Sequence, residues 1–159
     1  MAENQSVNHN HADTGIDVIK LNGDDPRLYY LVAHLAMDET VLAYNLNYPY
    51  KTSPEYRWYI ASKDGKTLGF LPVRFRERLG TINNYYVVDD DLAVFALLIR
   101  ELMWELSADY VIEAVVHLRH EKIFAANGFI VNLWWKRYAR MIPCRTMWNG
   151  LARKKNVHE

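Results

Sequence analysis

The sequence predicts an α/β fold: a mixed, mostly antiparallel sheet with helices on both faces, in the order β-α-α-β-β-β-α-β-α-β-β. Three stretches carry that prediction. "YRWYIAS" and "TLGFLPVRFR" flank "KDGK", the pattern of two strands joined by a tight hairpin. "NNYYVVDDDLAVFALLIREL" runs from a strand, through three aspartates, into a long apolar helix. "YVIEAVV", "LRHEKIFAANG" and the pair "FIVNLWW" and "RYARMI" then supply a strand, a short helix and a closing hairpin.

The elements follow from local chemistry. Residues 1–14 are polar and are expected to be a disordered tail; 15–147 form the domain, and 148–159 form a second tail. Ile16–Leu21 alternates as a strand. "NGDDP" ends it and starts a helix, with Asp25 as N-cap and Pro26 at the first helical position, where its missing N–H costs nothing. Leu28, Leu31, Val32 and Leu35 form the buried stripe of that helix, and a second helical piece runs from Asp38 until shortly before Pro49. Pro72 cannot donate to a ladder, so its strand should be an edge or face a bulge. "TINNYYVV" after Gly80 reads as one strand. Asp90 or Asp91 should cap the helix that reaches Leu106, and the apolar "YVIEAVV" should be a central strand. Asn127-Gly128 is a left-handed helix end.

Bulk properties narrow the partners. The chain has 159 residues, enough to bury a core without staples, and 19 basic against 19 acidic side chains. Balanced charge favours neither nucleic acid nor a membrane surface as partner. Arg74, Arg76 and Arg78, read as one strand face beside Trp134, Trp135 and Tyr138, could serve an acidic partner or single-stranded nucleic acid; a solvated sheet face is the favoured reading. Cys144 is the only cysteine, which excludes an internal disulfide and fits a reducing, cytoplasmic setting. The opening residues lack the apolar segment of a secretory leader, and the longest apolar run, Leu92–Ile99, is too short to span a bilayer. The eleven Tyr, five Trp and five Phe imply a ring-rich core, or a groove for a planar ligand.

"WYIASKDGKTLGF", "NNYYVV" leading into the long helix, and "HEKIFAANGF" followed by a strand pair ending in "YARM" stand in an order that resembles the GNAT superfamily of acyl-CoA N-acyltransferases. The resemblance spans residues 16–147. It implies that the strand ending near Val88 parts from its neighbour and that the pantetheine arm of acetyl-CoA, or another acyl-CoA, lies in the gap. Backbone groups of Tyr86, Val87 and Val88 would hold the arm, and the helix start at Leu92, Ala93 and Val94 would face the diphosphate. The acceptor would be a small-molecule or protein amine. The chain departs from the family in two places. Asp89 stands where Arg or Gln is usual, with Leu92 and Val94 where small residues belong, and Phe124, expected to contact the acyl-CoA, replaces a tyrosine that serves as general acid.

Acyl transfer to an amine needs a base for the ammonium and an acid for the leaving thiolate. His117, at a strand end facing the expected gap, is the candidate base, with Glu113 on the same strand as the second. Tyr85 or Tyr86 could replace the missing acid. The plainer readings are a surface histidine, a charge pair of Glu113 with Arg119 or an arginine of a neighbouring strand, tyrosines that face solvent or pack with the hydroxyl at the surface, and aspartates that simply cap a helix. His117 and His120 form a lone H-x-x-H, and no metal is expected. The aspartates and Phe124 also motivate a second reading, a binding or assembly module that does not use CoA. Its contact surface, for another protein or a second copy, would be the aromatic closing hairpin. A third reading, an enzyme that modifies a base or polymer with another donor, rests on the arginines and tryptophans alone.

Overall fold

The computed structural model describes residues 14–148, so the two expected tails fall almost wholly outside the described residues. The elements are β1 (Asp17–Asn22), α1 (Arg27–Ala36), α2 (Glu39–Tyr44), β2 (Tyr56–Lys63), β3 (Lys66–Arg76), β4 (Leu79–Ile82), β5 (Tyr86–Val87), α3 (Leu92–Leu106), β6 (Val111–His117), α4 (Glu121–Ala126), β7 (Phe129–Trp134) and β8 (Tyr138–Pro143). The strands form one sheet ordered β1-β2-β3-β4-β6-β8-β7, with β5 paired to β3 alone. β4 and β6 are the parallel pair; the others are antiparallel. The predicted fold class is the observed one, and β6 lies inside the sheet as its apolar sequence implied.

Local chemistry sets the boundaries. Asp25 accepts the backbone N–H of Arg27 at 2.9 Å, and Pro26 already has helical angles (φ −63°, ψ −21°). Asp38 caps α2 by accepting from Thr40 and Val41. Asp64 and Gly65 both have positive φ, 51° and 76°, as a two-residue hairpin between right-twisted strands requires.

The expected single strand "TINNYYVV" is in fact two. Ile82 pairs with Val73 and Tyr86 with Phe70, so three residues (83–85) oppose two (71–72), a one-residue bulge. Pro72 explains its position. Asn83 donates its N–H to the Pro72 carbonyl at 3.3 Å, so the side of Pro72 that lacks a donor faces the bulge. Asn84 absorbs the bend with φ 50°. The strand also begins earlier than expected, because Glu77 (φ 54°) turns the chain immediately after Arg76. Arg78 therefore lies in a turn and the three-arginine stripe does not form; Arg74 pairs with Glu55 at 3.0 Å.

Two apolar layers clamp the sheet. On one face Leu28 and Val32 of α1 pack on Trp58, Ile60 and Phe70. On the other, Phe95, Leu98, Leu102 and Met103 of α3 and Phe124 of α4 pack on Tyr59, Leu71, Ile82, Ala114 and Val116. Each such fully buried side chain contributes roughly 1.5–3 kcal/mol of transfer free energy. Trp148, assigned by sequence to the tail, belongs to this layer: it is 5% exposed, and its indole N–H donates to the Gly128 carbonyl at 3.1 Å.

Candidate active site at the parting of two strands

β4 pairs with β6 only as far as Ile82 and Ala114. Beyond that point the bulge swings the chain away, and β5 keeps β3 as its partner while β6 runs on to His117. In an antiparallel ladder alternate residues turn N–H and C=O to the same side, so the two-residue β5 presents one such pair toward the opening. The bulge thus builds a wedge-shaped gap between β5 and β6.

The bulge also reverses which residues face which layer. Tyr85 points into the α3–α4 layer, 3% exposed, against Phe95 and Phe124 at 5.9 and 5.4 Å between ring centroids. Its hydroxyl accepts the backbone N–H of His117 at 3.1 Å and lies 2.8 Å from His120 Nδ1. Burial pushes the phenol pKa up, so the hydroxyl keeps its proton and donates it to Nδ1. That fixes the His120 tautomer, and Nε2–H donates to Asp90 at 2.9 Å. Tyr44, at the end of α2, donates to the other Asp90 oxygen, and Arg119 lies 3.6 Å from the Tyr44 ring centre while donating to its carbonyl at 2.6 Å. One hydrogen-bonded chain therefore ties α2, the β5–α3 loop, the turn after β6 and the strand gap.

His117 is 5% exposed and points to the other face, its ring tilted against that of Tyr138 with centroids 4.9 Å apart. Asn45 donates to the Tyr48 carbonyl at 2.9 Å, which orients its amide so that its oxygen accepts from His117 Nε2. Burial first, then Arg119 and His120, lower the His117 pKa to about 4. Such an imidazole is neutral near pH 7 and a weak base for an ammonium. Glu113 accepts from the Thr81 hydroxyl at 2.9 Å, and among the described residues it pairs with no arginine. Phe124 has no exposed surface, so its side chain belongs to the core beneath the gap. Tyr86 lies on the α1–α2 face, half-buried, edge-on to Tyr44 at 6.3 Å, and its hydroxyl makes no hydrogen bond among the described residues. Burial, then Asp89, Asp90 and Asp38, raise its pKa and keep it protonated. The Tyr50 hydroxyl nearby is buried with no partner among the described residues.

The three aspartates divide their work. Asp91 alone caps α3, accepting from Ala93 and Val94 at 3.0 and 3.2 Å. Asp90 is held by Tyr44 and His120, and Asp89 is exposed in a left-handed turn with φ 56°. Capping, expected of all three, therefore describes one.

No protein-family model matches the chain, and no curated protein matches it in sequence. Solved structures do match. Escherichia coli ElaA, 14% identical, superposes with a TM-score of 0.62 over 79% of this chain and 97% of its own. An acyl-CoA N-acyltransferase from Pseudomonas aeruginosa gives 0.61 at 13% identity, over 79% and 97%. The Campylobacter jejuni N-acetyltransferase PseH in complex with acetyl coenzyme A gives 0.52 at 11%, over 78% and 96%. The chain has the GNAT fold. At these identities the likeness is one of architecture, and chemistry has to be argued from the site.

A thioester donor can be tested against this version of the GNAT fold. The unpaired β5 edge fits an amide-bearing arm, because main-chain pairing does not depend on side chains. The start of α3 fits a diphosphate poorly. Two of its N–H groups are taken by Asp91, and three consecutive aspartates, Asp89 to Asp91, lead into it.

The sequence candidates Tyr85, Tyr86 and His117 all lie around the parting strands, but the hydrogen bonds that tie Tyr85 to His117 and, through His120, to Asp90 are not legible in the sequence. In the sequence Asp90 reads as a cap and His120 as half of a metal motif, and Tyr44 and Asn45 carry no signal of their own. The usable signal was redundancy, since one aspartate suffices to cap a helix. Replacing Tyr85 by Phe is expected to orphan a buried N–H and the His120 acceptor. A loss of about 1–3 kcal/mol in denaturant-unfolding stability should follow.

Proposed function

We propose that the protein is an N-acyltransferase that takes an acyl group from a thioester and gives it to an amine. The observation that carries this reading is the unpaired β5 edge opening toward β6 at the bulge, in a chain with the GNAT fold. Acetyl-CoA or another acyl-CoA is the donor that the fold suggests. In the transfer the acyl carbon–sulfur bond breaks, a carbon–nitrogen bond forms, and a proton lost by the amine leaves with the thiol.

Tyr86 is the residue best suited to protonate the thiolate. Its hydroxyl is protonated, uncommitted and at the edge of the gap, whereas the Tyr85 hydroxyl is already used twice. His117, neutral and oriented by Asn45, is suited to hold the acceptor rather than to deprotonate it. Tyr50 offers a further unpartnered hydroxyl on the same face. Glu113, tied to Thr81, is the weaker of the two candidate bases.

The test is release of free thiol from acyl thioesters in the presence of a panel of small amines and amine-terminated peptides. Replacing Tyr86 by Phe should lower kcat by about 10²-fold, the lower end for general acid catalysis, with KM little changed. Thiol release from none of the donors would overturn the reading.

A further inference from the structure

The donor that this cleft accepts is narrower than the fold suggests. Resting on the acyltransfer reading, we infer that the arm entering along β5 carries no diphosphate: it is a pantetheine-type thioester, neutral along its length. β5 ends at Val87 and the chain turns through residues 88–90 into α3, so the far end of an arm lying on β5 emerges beside Asp89, Asp90 and Asp91. Asp38 lies close enough to act electrostatically on Tyr86 along with Asp89 and Asp90.

The loop is not free to turn this charge away. Asp90 is held from α2 by Tyr44 and from the turn after β6 by His120, and Asp91 is fixed by its cap bonds. Arg119, the cation in contact with Tyr44, is engaged by the Tyr44 carbonyl and ring. A diphosphate would meet fixed like charge, whereas an uncharged amide arm loses nothing there. The internal carboxylate of Asp91 already satisfies the helix end that would otherwise attract an anion.

Such an arm is found in free pantetheine thioesters and, with one phosphate at its end, on carrier proteins. The experiment is calorimetric titration of the full chain with S-acetylpantetheine, S-acetyl-phosphopantetheine and acetyl-CoA at low ionic strength. S-acetylpantetheine is expected to bind at least as tightly as acetyl-CoA. Replacing Asp89 by Asn, which tolerates the left-handed turn, should tighten acetyl-CoA by up to about fivefold, the span of one exposed charge pair, and leave S-acetylpantetheine unchanged. Phosphopantetheine thioester binding as well as the neutral arm would point to the carrier-borne source, and weaker binding to the free one. Acetyl-CoA binding more tightly than S-acetylpantetheine would overturn the inference and leave acyl transfer standing. Binding of none of the three would overturn both.

Discussion

Replacing Phe124 by Ala is expected to remove about 3–5 kcal/mol of stability, enough to lower the melting temperature by roughly 10 °C in a chain of this size. The ring has no exposed surface and meets Tyr85, Phe95 and Phe129 at 5.4, 6.1 and 5.6 Å. It supports the ring of Tyr85, whose hydroxyl ends the buried hydrogen-bond chain, so the cavity would open beneath the strand gap. Phe124→Tyr asks a sharper question, because the sequence resemblance to the GNAT superfamily implies a tyrosine acid at this position. Here the added hydroxyl would enter a closed apolar site, costing about 1–3 kcal/mol through crowding and an unpaired polar group. Thermal unfolding and thiol release read together decide the matter. A destabilised variant with no gain in thiol release is expected; a stable variant with a gain would mean that the position reaches the cleft.

The fold was legible because each element states itself locally. "KDGK" requires a hairpin, Asp25-Pro26 a helix start, Asn127-Gly128 a helix end, and the apolar run of α3 a buried helix. The bulge was half legible. Pro72 announced that a neighbour must deviate, but not which neighbour, since that depends on pairing across the sheet. Its consequence for the site could not be read at all. Inserting one residue reverses the faces of everything after it, so Tyr85 enters the α3–α4 layer and Tyr86 the α1–α2 face, although the two are adjacent and identical in sequence. The Asp90–His120–Tyr85 chain was hidden for the same reason: its members lie 30 and 35 positions apart and meet only after the sheet closes. Asp91 was legible as a cap because capping is local.

The buried histidines should make stability fall in mild acid. In the folded chain the His117 pKa is lowered to about 4, by burial first and then by Arg119 and His120, with Asp90 opposing; its ordinary value is 6.5. Between those values the unfolded chain binds a proton that the folded chain does not, so stability rises with pH across the window. The contribution is fully present above pH 6.5 and is lost as pH falls through about 4, with a ceiling on the order of 3 kcal/mol. His120 is lowered too, by burial against the pull of Asp90, and acts in the same direction. Urea unfolding at a series of pH values should show this slope. Replacing His117 by Gln, whose amide N–H can still reach the Asn45 oxygen, should remove about one proton's worth of it. Parallel profiles for the two proteins would mean that His117 titrates in the folded state as it does in the unfolded chain. A neutral His117 would then no longer follow at pH 6–7, and holding the acceptor would have to fall to Tyr50 and Tyr86.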